Sequence, residues 1–146
     1  MSLQGNNLPV YAVSPQNSVG SLSGSSLGTL GADTNGQTIY TAGANGSRVY
    51  GLFLSTTSTA AVNIFLYIKN SAAICPIGQI NVPLSSGNVA STPCVDGLAA
   101  ANCPGLAYDG TGKPYVELAP NAVLKMSLVA AITTGTLYAA AIGADY

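Results

Sequence analysis

The chain has 146 residues, 48% of them hydrophobic and only 6% charged, with a formal net charge of −1 and a mean hydropathy of +0.39. That length suits one domain with a real core. Ordinary soluble domains carry roughly 25% charged residues, so few ionic groups keep this surface away from its own copies, and the composition predicts a surface covered by self-association or by a larger assembly. Four dispersed cations, Arg48, Lys69, Lys113 and Lys125, exclude a basic nucleic-acid footprint. The absence of histidine excludes Ser-His-Asp and Cys-His machinery and His-ligated zinc.

Residues 1–36 hold seven Ser, six Gly and a single charge, Asp33. The run 18–28 reads like a flexible linker. Apolar side chains punctuate the segment nevertheless, among them Leu8, Tyr11, Val13, Val19, Leu22 and Leu27. A linker has no need of them, whereas an arm lying on a partner does. The segment is therefore read as an extended N-terminal arm, with Leu8, Tyr11, Val13, Leu22 and Leu27 as candidate contacts; a disordered tail is the competing reading. The first residues show no basic n-region and no apolar h-region, so no secretory leader is expected and the chain is expected to assemble in the cytoplasm.

From residue 37 onward β signals dominate. Residues 38–42 form a β-branched and aromatic run bracketed by Asn35-Gly36 and Asn45-Gly46, pairs favoured in tight hairpins. A strand over 47–54 follows. Residues 61–69 alternate, with Val62, Ile64, Leu66 and Ile68 on one face and Asn63, Phe65, Tyr67 and Lys69 on the other. A solvent face should be polar, so Phe65 and Tyr67 either lie beneath a loop or form a contact patch. Ile80, Val82 and Leu84 alternate around Pro83, which cannot donate to a ladder and points to a sheet edge. Residues 85–114 read as a long loop rich in Gly, Pro, Ala and Asn. Short strands are expected over 115–118 and 122–132, then a turn at 133–136 and a last strand over 136–145.

The sum is an all-β domain over 37–146: a jelly roll or two-sheet β-sandwich of seven or eight strands with an N-terminal arm. The apolar stretch 122–142 carries Lys125, Ser127 and Thr133-Thr134-Gly135-Thr136, which fits two strands and a turn better than a spanning helix, so no membrane partner is expected.

Little points to chemistry. Cys75, Cys94 and Cys103 are an odd count, expected as free thiols in a reducing compartment; Cys94 and Cys103 flank a Pro- and Gly-containing loop and could pair in an oxidising medium. Three thiols without C-x-x-C spacing fall short of a structural zinc site. Asp33, Asp96 and Asp109 form no spaced acidic cluster for calcium. Among Asp96, Asp109, Glu117 and Asp145 nothing sets a carboxylate pair across a cleft. Asp109-Gly110-Thr111-Gly112 reads as an ordinary turn, and Gly110-Thr111-Gly112-Lys113 lacks the spacing and context of a phosphate loop. No enzyme activity and no cofactor are expected.

Three phrases carry a resemblance: residues 39–49 (IYTAGANGSRV), residues 105–115 (GLAYDGTGKPY) and the ending Gly143-Ala144-Asp145-Tyr146. Together they make the region 37–146 resemble the capsid cement and decoration proteins of tailed phages. The resemblance implies a jelly-roll subunit on the capsid exterior whose partner is the major capsid protein and which self-associates, as a dimer in preference to a trimer. Nucleic acid has no direct part in it. Other classes remain open: a carbohydrate- or receptor-binding module of a phage fibre, with Tyr108 and Tyr115 as platforms though Trp is absent, or a tail or neck subunit.

Overall fold

The computed structural model describes residues 14–24 and 36–146. Among these there is no helix. There are ten strands: β1 (Ser14–Ser23), β2 (Gln37–Thr41), β3 (Ser47–Thr56), β4 (Val62–Asn70), β5 (Ala73–Val82), β6 (Val95–Asp96), β7 (Ala107–Tyr108), β8 (Pro114–Leu118), β9 (Val123–Leu128) and β10 (Thr136–Asp145). They form two antiparallel sheets. A six-stranded sheet has the order β1-β10-β3-β8-β7, with β6 paired to β3, and a four-stranded sheet has the order β2-β9-β4-β5.

The pairing is nested. β1 pairs with β10, β2 with β9, β3 with β8 and β4 with β5. The chain thus runs as one long hairpin folded over itself, so that the eight strands of five or more residues divide four to each sheet. That is the jelly-roll arrangement, in which two packed sheets share one core. Leu52, Leu54, Ile64, Leu66, Leu124 and Met126 are fully enclosed between them, and each comes from the inward half of an alternating strand.

Several local features explain how the strands are joined. The β4–β5 hairpin has a two-residue loop, Ser71-Ala72, between the paired Asn70 and Ala73. Ser71 takes φ +54° there, the left-handed geometry such tight loops demand. Asn45-Gly46 does make a turn, with Gly46 at φ +92° and its N–H donating to Gly43 O. It does not close a hairpin, however, because β2 and β3 lie in different sheets. β5 is an edge strand, as Pro83 implied, and carries Pro76 within it. The stretch 122–142 is not a helix but holds β9 and β10, in opposite sheets; no helix among the described residues is long and apolar enough to cross a membrane.

Two expectations need correction. Ten residues of the expected arm are strand β1, and Leu22 sits in the core opposite Leu137. Its Ser- and Gly-rich composition hides a strand because β1 stands at the end of its sheet's strand order with seven of its ten residues exposed, so few of its positions need to be apolar. Residues 85–114 are not a bare loop either. They contain β6 and β7 and drive Leu98 and Cys103 into the core. A Cβ on Gly78 would stand 2.4 Å from the Cys103 sulfur and 2.5 Å from Asn102 O, so only glycine lets this segment close over β5.

Candidate functional site: the outer face of the six-stranded sheet

The six-stranded sheet turns Leu137, Ala139 and Ala141 of β10 inward, and Tyr138, Ala140 and Ile142 outward. On β3, Val49, Leu52 and Leu54 face in. Between Val49 and Leu52 lie two residues rather than one, because the β10 register shifts at Ile142/Gly143 and leaves Tyr50 without an opposite number. This bulge puts both Tyr50 and Gly51 on the outer side. A Cβ on Gly143 would stand 2.9 Å from the Tyr40 ring, so the bulge also depends on glycine.

Register then assembles the outer face row by row. Val19, Ala140 and Phe53 lie side by side across β1, β10 and β3; Ser21, Tyr138 and Ser55 form the next row, and Asn17, Ile142 and Gly51 the row on the other side. Val19 is 79% exposed, Tyr50 49%, Phe53 48% and Tyr138 47%. A groove of about 530 Å³ runs along Val19, Phe53, Tyr138 and Ala140, with exposed Cys94 at its side. A smaller hollow of about 210 Å³ lies between Tyr50, Ile142 and the start of β1. No residue lining either carries a charge. The larger groove, mainly apolar and walled by Phe53 and Tyr138, has the composition of an interface core.

Charge borders this face in two places: Asp96 of β6 stands exposed opposite Phe53, and an ion pair lies at the far end of β3. Arg48 Nε donates to Glu117 Oε1 at 2.8 Å, and the guanidinium lies 4.1 Å from the centre of the Tyr115 ring. Tyr146 OH donates to both Glu117 oxygens. The Glu117 hydrogen bond holds Arg48 above its ordinary pKa, while burial and then Glu117 push the Tyr146 phenol up. The other side-chain carboxylates among the described residues each serve local structure. Asp145 accepts from Ser47 Oγ and Tyr40 OH, and burial followed by Asp145 raises the Tyr40 phenol. Asp109 Oδ1 accepts from the N–H of Lys113 and the N–H and hydroxyl of Thr111, bonds that hold its carboxyl below the usual range. This is the turn the Asp-Gly-Thr-Gly run foretold. Asp96 Oδ1 caps Leu98 N–H.

The expected contact residues fall elsewhere. Leu8, Tyr11, Val13 and Leu27 lie outside the described residues. Leu22 is core. Phe65 is half-buried and Tyr67 buried on the outer face of the four-stranded sheet, across from Ser127 and Lys125, which are buried too. Val19, Phe53, Tyr138 and Ile142 were not singled out as contacts in the sequence. Their signal is the alternation of apolar residues on both faces of β10, which the Ala-rich run masks as helix. Tyr108 and Tyr115 do not make one platform: Ala107 is opposite Tyr115 and Tyr108 opposite Pro114, so the two rings leave opposite faces of the β7–β8 ribbon. All three cysteines are free thiols, Cys75 and Cys94 exposed and Cys103 buried. Among the described residues no three His, Cys, Asp or Glu gather where they could hold a metal ion.

The chain matches no family model and no curated protein.

Proposed function

We propose that the chain is a structural adhesive of the virion: a capsid cement or decoration subunit that presses the outer face of β1, β10 and β3 against the coat protein at the shell exterior. The observation that carries this reading is the aromatic face itself, 47–49% exposed at Tyr50, Phe53 and Tyr138, with no charged residue lining its groove, on a chain that has only nine charged residues in all. Such a face packs against protein without desolvating ions. One interface of ordinary size buries ~1,600 Å², and many copies on one shell add their contacts across the seams between coat subunits.

The test is co-sedimentation of the full chain with purified phage shells. Wild type pellets with shells, and Phe53→Ser with Tyr138→Ser stays in the supernatant while remaining folded. A soluble wild-type chain with no affinity for shells would sink the reading.

A further inference from the structure

The pairing of β6 with β3 carries the outer face one strand further. Phe53 pairs with Asp96, so the row of Val19, Ala140 and Phe53 ends on a carboxylate. Cross-strand partners leave a sheet on the same side, with Cβ atoms roughly 5 Å apart. Cys94, two residues before Asp96, lines the groove together with Phe53 and Tyr138. Asp96 therefore stands exposed at the rim of the groove, against one of its two aromatic walls.

Its hydrogen bonding sets it apart. Among the described side-chain carboxylates, Glu117 accepts from Arg48 and Tyr146, Asp145 from Ser47 and Tyr40, and Asp109 from Thr111 and Lys113. Asp96 accepts one bond, from the Leu98 N–H to Oδ1 at 3.0 Å. That bond fixes the carboxylate and leaves Oδ2 for a donor from outside. The cations of the chain are placed elsewhere: Arg48 pairs with Glu117, Lys69 and Lys125 lie on the four-stranded sheet, and Lys113 belongs to the Asp109 turn.

The far end of β3 shows what such a setting holds. There Arg48 pairs with Glu117 while its guanidinium lies 4.1 Å from the centre of the Tyr115 ring. Carboxylate, cation and aromatic ring come together from one chain. At the groove this chain supplies the carboxylate and the rings alone. Aromatic faces are electron-rich and Asp96 adds a full negative charge, so the groove favours a positive group over a neutral one.

We propose that the groove and Asp96 receive an arginine side chain of the partner protein. Its apolar stem lies along Val19 and Ala140, its guanidinium stacks on Phe53, and Asp96 Oδ2 accepts from it at the rim, where the pair keeps contact with water and loses little hydration. A flat, delocalised cation can stack and donate at once, which a lysine ammonium does less well. The inference rests on the adhesive reading for its partner, and adds to that reading a charge that fixes register more than it supplies affinity.

The full chain, isotope-labelled, is titrated by nuclear magnetic resonance with acetyl-Leu-Arg-Leu-amide and with the same peptide carrying citrulline, which keeps the flat side chain and lacks its charge. The arginine peptide should shift the resonances of Phe53, Asp96 and Tyr138 and bind about threefold or more tightly at low salt, with the gap closing at high salt. Asp96→Asn keeps an acceptor for the Leu98 N–H and should abolish the preference. Phe53→Leu keeps the apolar volume, loses the ring face and should reduce it; both variants should keep the wild-type circular dichroism spectrum. Equal affinity for the two peptides, shifts confined to other parts of the chain, or a preference that survives Asp96→Asn would overturn the inference. With shells whose arginines have been blocked by phenylglyoxal, wild type should adsorb about threefold more weakly and Asp96→Asn no more weakly than with untreated shells. A chain that prefers the arginine peptide and ignores shells removes the adhesive reading alone; one that adsorbs to shells and does not distinguish the peptides removes this inference alone.

Discussion

The two outer faces of the sandwich are built from the same kinds of residue and meet opposite fates. Tyr67 on β4 and Tyr138 on β10 both point away from the shared core, yet Tyr67 is 4% exposed and Tyr138 47%. Around Tyr67, Lys125 and Ser127 are buried as well; around Tyr138, Val19 and Phe53 are open. Alternation along a strand decides which side a residue takes. Whether that side is then covered is decided by the rest of the chain, and this is what separates a structural tyrosine from one available to a partner.

The same substitution on each face is the sharpest way to break the comparison. Tyr67→Ala removes a buried ring and should destabilise the fold by about 3 kcal/mol, a fall in Tm of roughly 10 °C for a chain of this size. Thermal unfolding followed by circular dichroism measures it. A Tm within a degree or two of wild type would mean that the ring is not held and that the two faces are alike after all.

The next effect belongs to the cover over β5. Gly78→Ala places a methyl group 2.4 Å from the Cys103 sulfur and 2.5 Å from a backbone oxygen, and overpacking of that kind costs about 1–3 kcal/mol. Gly105→Ala, where a Cβ meets nothing within 4 Å, should be close to neutral. Equal denaturant midpoints for the two variants would show that the 85–114 segment yields easily and does not seal that edge.

These cases mark how far the sequence could be read. The strands whose two faces differ in polarity were plain: Val62, Ile64 and Leu66 declared an inward face, and Pro83 an edge. The all-β class and the two-sheet packing followed. Strand β1 was hidden because an edge strand needs little apolar content; only Leu22 of its ten residues is buried. Phe65 and Tyr67 stand out in the sequence where the exposed Phe53 and Tyr138 do not, for a related reason. Both β4 and β10 are apolar on two sides, and local pattern cannot say which second side lies open. That depends on nested pairing between residues over a hundred positions apart, such as Val19 with Ala140.

A smaller effect follows from Cys103, whose thiol is pushed up to about 11 by burial and, less, by Asp96. The folded state holds this proton more tightly than the unfolded chain, whose thiol titrates near 9.0. Stability is therefore full below pH 9 and is lost as pH rises toward 11, by about 1 kcal/mol at pH 10. Denaturant titrations at pH 8 and pH 10 should differ by that amount in wild type and by less in Cys103→Ala. At pH 8 a thiol reagent should label Cys75 and Cys94 quickly and Cys103 only on unfolding. Three equally fast thiols would contradict the burial.

Smallest in stability, and most informative for function, is Tyr138→Ala. A half-exposed ring on an open sheet face makes few contacts within its own chain, so the change should stay within about 0.5 kcal/mol of wild type. The same ring stands in a groove without charged lining between Val19 and Phe53, the central aromatic position of a hot spot, whose truncation costs about 2 kcal/mol or more of binding, or some thirtyfold in Kd at about 1.4 kcal/mol per decade. Unfolding and shell adsorption measured on one preparation separate these quantities. A variant that unfolds early would return Tyr138 to the class of Tyr67. One that is as stable as wild type and adsorbs as tightly would leave the open face without a partner, and the contrast between the two sheets would reduce to an accident of packing.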